Sequence, residues 1–365
     1  MFRKSSNGSV PSTVAHFLAS HAPRFETKSL ALAVRNLALQ DCAVLYLTAF
    51  LTTMAFLRAQ GVDAKLVRSE TLALFCAALL VIGATRGELI ERGAARAVLY
   101  RFGLLGTMAG AYAVLRLLLP ALQPQLLDDK LVALDARLFG RTPAVWLDPF
   151  VTPRTVEWFA FFYFSHYWLL ATHLLGTLCF DAGRRRYELL LGFAIVAALG
   201  HSIYIAVPGV GPYGCAQLAF SHPLVGSVWW SRVQHAVSGA GAGLDIFPSM
   251  HTAFAVLIAL HTVRYRREAP FSWSWLPTCF CVANIVIATV FLRWHYGVDL
   301  IAGTLLAIGG YRVAIWLWHW EGSRVGQEVW EPILPSPMPP EDRRWLIGIT
   351  TIHLLALLVL VLSRQ

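Results

Sequence analysis

The chain has 365 residues, of which 57% are hydrophobic and only 14% charged. A soluble domain averages about 25% charged residues, so this chain lacks the polar surface to cover a water-soluble globule. Its net charge of +9 does not signal nucleic-acid binding, because the arginines cluster between long apolar blocks, the positive-inside pattern of membrane loops.

Residues 1–40 read as a polar arm, cytosolic or interfacial, without the apolar core of a cleavable signal peptide. A transmembrane helix needs about 20 apolar residues. Blocks at 42–57, 71–85, 97–119, 156–180, 188–207, 250–263, 273–292, 298–320 and 345–362 meet or approach that length, which predicts about nine spans. The blocks at 71–85 and 250–263 are short, as partial or tilted helices are. The predicted fold is thus an all-α polytopic transmembrane bundle: N-terminal helices over 41–120, a catalytic core over 121–320, then a connector and last helix over 321–365. The connector carries "EPILPSPMPPEDRR", too rich in proline to span. Cys42, Cys76, Cys179, Cys215, Cys279 and Cys281 lie mostly within apolar blocks and read as small packing residues, with neither a disulfide framework nor a zinc-ligand spacing.

Arg86, Arg92 and Arg96, then Arg184, Arg185 and Arg186, then Arg264, Arg266 and Arg267 fall on one face if the spans alternate, and that face should be cytosolic. Lys65 and Arg68 are a minor exception. The opposite face, periplasmic in a bacterial inner membrane or lumenal in an equivalent one, receives residues 121–155, 208–249 and 293–297.

Two motifs sit on that second face. "DIFPSMH" (245–251) opens the sixth span, and "FLRWHYGVDLIAG" (291–303) joins the seventh to the eighth. Pro248 suits a helix start and Ser249 a cap. His251 then lies in the first turn, where free backbone N–H groups attract phosphate. His295 and Asp299 are four residues apart, a spacing that puts both on one helix face. A carboxylate there can hold the imidazole in one tautomer and raise its nucleophilicity. Arg293 adds a charge suited to bidentate phosphate contact. A lone histidine near a membrane interface is ordinarily structural. Two histidines, an aspartate and an arginine converging at the ends of three spans point instead to a shared polar site.

The paired segments Pro248-Ser249-Met250-His251 and His295-Tyr296-Gly297-Val298-Asp299 resemble the signature of the type 2 phosphatidic acid phosphatase superfamily. Within it the chain most resembles the inositol phosphorylceramide synthase branch: Met250 precedes the first histidine where the phosphatases carry Gly, and "LDARLFGRTP" (134–143), "FYFSHY" (162–167) and "PGVGPY" (208–213) are similar too. The resemblance covers roughly residues 125–310. It implies a six-helix core with extra helices, and a mechanism without cofactor or metal. His295 would attack phosphorus to form a phosphohistidine, Asp299 would orient it, and His251 would protonate the leaving oxygen and then activate the acceptor. The donor would be a phospholipid and the acceptor a lipid or polyprenyl alcohol, with phosphoinositol transfer to a ceramide-like lipid as the sharpest version. The phosphatases' upstream Lys–Arg motif is missing, and Thr289 stands where they carry an Arg six residues before the nucleophile, with Arg293 as its candidate substitute.

Other residues carry two readings each. Asp135 and Gly140 lie in a segment expected flat on the outer surface, as an acceptor-headgroup contact or a solvated face. His166, in the aromatic run 161–168, faces the cavity or belongs to an interfacial belt. Gly209, Gly211, Pro212 and Tyr213 shape a loop over the site, Tyr213 being a candidate substrate contact, or a plain turn. His222 and His235 have no evident partner. Arg116, inside a span, should face protein or water. Trp229, Trp230, Trp273, Trp275, Trp316, Trp318 and Trp320 suit interfacial belts. The rival functions are a lipid or polyprenyl phosphate phosphatase and, from another class, a transporter, against which stands the lack of an inverted repeat.

Overall fold

In the computed structural model, residues 27–321 are described, apart from 92, 182, 241 and 242. The predicted arm and last span therefore lie largely outside the described residues. The other eight apolar blocks all become helices. The helices are α1 (Thr27–Arg35), α2 (Leu39–Arg58), α3 (Ala64–Arg86), α4 (Ala94–Ala121), α5 (Asp128–Phe139), α6 (Pro143–Leu147), α7 (Pro153–Phe180), α8 (Gly183–Ala206), α9 (Gly211–Gly214), α10 (Val228–Ala240), α11 (Met250–Arg264), α12 (Phe271–Phe291) and α13 (Gly297–Glu321). No strand occurs among the described residues.

Among the described residues, six stretches are long and apolar enough to cross a membrane: α2, α3, α4, Gly183–Gly214, α12 and Gly297–Trp320. The protein is accordingly a multi-pass membrane protein. The block at 71–85, short in sequence, is the end of the 23-residue α3, which starts in a polar turn carrying Lys65 and Arg68. Helix α7 has 28 residues but is diluted by Tyr163, His166, Tyr167 and His173, polar tips that lower its hydropathy. Helix α11 is truly short: its 15 residues rise only about 22 Å.

Helix α13 packs on α8 and α11, α12 packs on α11 and α7, and α2 joins the N-terminal helices to α8. One apolar core contains Leu47, Leu115, Leu189 and Leu257; a second contains Phe161, Phe162, Trp229 and Phe291. Trp229 and Trp230 are thus not belt residues. Trp229 is 1% exposed and meets Phe161 edge-on at 5.1 Å, because the segment expected to be loop folds as α10 and lies against α7. Trp316 and Trp320 are exposed, as belt residues are.

Two of the arginine clusters, at 184–186 and 264–267, gather at the far end of α11 from His251. Glu188 accepts from Arg184 (2.6 Å), Arg264 (2.8 Å) and Tyr265 (2.9 Å), and Arg185 pairs with Asp181. In the N-terminal helices Arg86 donates to Asp41 at 2.6 Å, Tyr100 donates to the other Asp41 oxygen at 2.5 Å, and Gln40 donates to the Tyr100 hydroxyl at 2.9 Å. All four residues are buried. A buried ion pair is weak evidence of net stability, but losing one partner strands the other charge, at about 3–5 kcal/mol. Asp41→Ala should therefore lower the thermal midpoint of the detergent-solubilised protein sharply, and Asp41→Ala with Arg86→Met should recover most of the loss.

Candidate active site

The start of α11 and the α12–α13 junction meet because α13 lets them. A Cβ on Gly303 would stand 2.5 Å from the Ser249 carbonyl oxygen, so only glycine allows α13 to pass so near the turn before α11. The contact is locked by the Ser249 N–H, which donates to the Asp299 carbonyl at 3.1 Å. Ser249 is fully buried and is the N-cap, its Oγ accepting from the Thr252 N–H at 3.3 Å. The cap expected from the sequence is present, and it places His251 in the first turn.

Across that contact lie the two histidines. The rings of His251 and His295 are 6.4 Å apart between centroids. Asp299 Oδ2 lies 3.3 Å from His295 Nδ1 and accepts the Tyr296 N–H at 2.8 Å. With Nδ1–H turned to the carboxylate, Nε2 carries the lone pair. The gap between the imidazoles suits one phosphorus centre, since reacting atoms must approach to about 3–3.5 Å.

The junction is held from outside by α5. Both carboxylate oxygens of Asp135 are taken by the start of α13, from Gly297 N–H (3.0 Å) and Val298 N–H (2.9 Å). Asp135 is fully buried; burial pushes its carboxyl up against those two hydrogen bonds. It sits on no solvated face, and a positioning role replaces the expected headgroup contact. Asp128, about two turns earlier, accepts from the Val210 and Gly211 N–H groups (both 3.0 Å) and from the Tyr296 hydroxyl (2.8 Å). The "PGVGPY" loop is thereby tied to the residue after His295. Gly211 has a left-handed φ of 74°, and a Cβ there would meet the Trp294 carbonyl oxygen at 2.5 Å. Tyr213 donates its N–H to the Arg293 carbonyl at 2.7 Å and stacks on Trp294 at 5.0 Å.

Arg293 is engaged elsewhere than the sequence suggests. Its guanidinium donates to Asp148 (2.7 Å) and to the His222 carbonyl (2.5 Å) and lies 3.9 Å over the Phe220 ring. Its left-handed φ of 64° costs a side-chain-bearing residue about 1–2 kcal/mol, which these contacts offset. The expected direct phosphate contact gives way here to a latch joining the junction to the loop after α9. His222 also has a partner, its Nδ1 lying 3.3 Å from Asp148. Thr289, in place of the phosphatases' Arg, is fully buried, and its carbonyl accepts from both Trp294 (3.0 Å) and His295 (3.1 Å) N–H groups, closing the turn that presents His295.

His166 does join the site: its ring is 4.3 Å from that of His251. Tyr163 stacks on His251 at 4.3 Å, and Tyr167 stands edge-on at 6.1 Å. The sequence reading passed over these tyrosines, although their spacing from His166 puts all three on one helical face. Met250, next to His251 in sequence, packs into the bundle: a Cβ on Gly200 would collide with its sulfur at 2.2 Å. Arg116 turns to protein, donating to the Gly239 carbonyl at 2.6 Å.

The start of α11 and the α12–α13 junction thus bring two imidazoles face to face, one of them beside a carboxylate. Residues 129–313 match the model of the PAP2 superfamily, and the chain belongs to that superfamily of phosphatases and phosphotransferases. The matched region holds both motifs and α5 apart from its first residue, Asp128. No curated protein and no solved structure matches the chain.

Two outcomes follow from this geometry. Gly303→Ala should push the Ser249 turn off α13 and lower kcat at least tenfold, since displacements near 1 Å cost about 100-fold; the assay is steady-state turnover with the melting midpoint in parallel. For Asp148, burial opposes its charge, but N–H groups of Ser221 and His222, the His222 ring and Arg293 outweigh it and hold the carboxyl below its usual range. A depressed carboxyl stabilises the fold fully above the unfolded value of about 3.9, and that stability is lost as pH falls through the folded value. Asp148→Asn should therefore flatten the acid limb of the stability profile below about pH 4, read by melting from pH 3 to 7.

Proposed function

We propose that this protein is a lipid phosphotransferase that works through a phosphohistidine and moves a phospho-headgroup from a phospholipid to a lipid alcohol. The observation that carries the reading is the pair of imidazoles 6.4 Å apart, one with Nδ1 on a carboxylate. His295 Nε2 attacks phosphorus as the bond to the lipid oxygen breaks, and His251 delivers the proton to that oxygen. In the second step the acceptor oxygen bonds to phosphorus, the His295–phosphorus bond breaks, and His251 takes the acceptor's proton. Backbone N–H groups at the start of α11 stabilise charge on the phosphoryl oxygens. Asp299 and Asp135 position His295, Ser249 positions His251, and Tyr213 and Trp294 lie at the loop over the site.

Enclosure favours transfer over hydrolysis. A phosphohistidine hydrolyses unless water is kept out and an alcohol is held in line. His295 is only 5% exposed, and aromatic rings of α7 close over His251. A lipid or polyprenyl phosphate phosphatase is the alternative, for which a water-open pocket suffices. Phosphoinositol as the transferred group rests on the branch resemblance alone. The arginine clusters at the far end of α11 support a site facing the periplasm or lumen.

The test is the purified full-length enzyme with headgroup-labelled phospholipid, with and without a lipid alcohol. Label should move to the alcohol, and His295→Ala should lower turnover by at least 1000-fold without lowering the melting midpoint, since members of one catalytic unit act together. Release of water-soluble label unaffected by any lipid alcohol would favour the phosphatase. More than a few per cent of turnover in His295→Ala would exclude the phosphohistidine.

A further inference from the structure

The two imidazoles of the site are held in different ways. His295 has Asp299 at its Nδ1. Among the described residues no carboxylate pairs with His251, and its buried Nε2 has no hydrogen-bond partner. What His251 has instead is two rings of α7. Tyr163 lies 4.3 Å away and 23° from parallel, and His166 lies 4.3 Å away at 36°. Contact at that distance and tilt is made through ring faces, so the edge of His251, where its nitrogens are, stays free. Tyr163 and His166 are each 3% exposed. Their helix is itself tied down: Glu157 of α7 accepts the Trp229 and Trp230 N–H groups of α10 at 2.9 and 3.1 Å. The other titratable groups around His251 are Tyr167 of α7 at 6.1 Å, His295 at 6.4 Å with Asp299 beyond it, Tyr204 of α8, and Asp245 before α11, which accepts from Tyr112 of α4 at 3.2 Å.

We propose that Tyr163 and His166 are positioning residues for His251: their rings clasp its faces so that its edge is presented to phosphorus, and the π face of Tyr163 stabilises the protonated ring. The proposal rests on the acid–base role given to His251 above. In that role His251 starts each cycle protonated, gives the proton to the leaving lipid oxygen, and regains one from the acceptor hydroxyl. Its resting form is therefore a cation between membrane helices, where an uncompensated charge is costly. A cation over an aromatic face is stabilised by the negative π cloud of the ring. Tyr163 supplies that face, and its hydroxyl plays no part. His166 stays neutral, because a second imidazolium in contact would repel the first; it touches substrate only through His251. The site thus orients one imidazole by a carboxylate and the other by ring stacking, and the acid keeps both nitrogens clear of competing hydrogen bonds from its clasp.

The experiment reads the protonation of His251 directly. Diethyl pyrocarbonate acylates only the unprotonated imidazole, and His251 is half-buried, so its modification is followed against pH in the full-length protein by peptide mass spectrometry, without substrate. Wild type and Tyr163→Phe should share one midpoint. Trifluorophenylalanine at position 163 keeps the shape of that ring but weakens its π face, and should move the midpoint down by about 0.5 pH unit or more. Where there is turnover, the basic limb of kcat/KM should move the same way, since a less stabilised cation loses its proton at lower pH. His166→Ala should lower kcat about tenfold or more with KM within about twofold, and His166→Phe, which keeps a ring, should restore most of it. A midpoint that fluorination leaves in place, His166→Phe as damaging as His166→Ala in folded protein, or a raised KM at unchanged kcat would overturn the clasp. Because modification is read without chemistry, a shifted midpoint in a wild type that neither transfers nor hydrolyses would support the clasp and count against the phosphoryl reading alone. Full turnover with an unmoved midpoint would do the reverse.

Discussion

Backbone N–H groups at the start of a helix have no partner inside that helix, and in a membrane protein water is a poor substitute. The site depends on how this is met. Two carboxylates of one short helix, Asp128 and Asp135 of α5, supply the acceptors: one for the loop at 208–213, the other for the first turn of α13. His295 stands between the elements so fixed, and Asp299 takes the Tyr296 N–H as well as the imidazole. The nucleophile candidate is therefore oriented through backbone hydrogen bonds, with little left to rotamer choice. Opposite it, Ser249 does the same for His251 by capping α11 and donating its own N–H to Asp299.

Much of this was legible in the sequence, for a physical reason. Apolar blocks must be helices in a bilayer, so the eight described blocks fell where hydropathy put them. The Ser249 cap and the His295–Asp299 spacing are local, and local signals survive folding. What the sequence hid was tertiary. Asp135 reads as a surface residue because nothing nearby shows that α13 will start against it. Arg293 reads as a phosphate clamp because its partner, Asp148, is 145 residues away. Trp229 and Trp230 read as belt residues because tryptophan is common at both interfaces and cores, and only the packing of α10 on α7 decides between them. Met250 is adjacent to His251 in sequence but, one helical position away, points about 100° aside and into α8.

The family match and the rest of the chain divide the labour unevenly. Residues 129–313 carry both histidines, Asp135 of α5 and Arg293 of the latch, with Asp128 one residue before them. Helices α2 to α4 lie before the match, yet α2 packs on α8 and α4 supplies Tyr112 beside the site. Their own buried network of Asp41, Arg86, Tyr100 and Gln40 ties them to one another.

The shortness of α11 has a consequence for where in the bilayer the substrate must react. At about 22 Å it falls short of a hydrocarbon core near 30 Å. A helix of that length, anchored at one headgroup plane through Arg264 and Glu188, would leave His251 several ångströms short of the other. A phospholipid can bring its phosphate to that depth only by sinking, or by the membrane thinning around the protein, and either deformation costs more in a thicker bilayer. On the proposed reading, the rate of the reaction should therefore fall as the bilayer thickens.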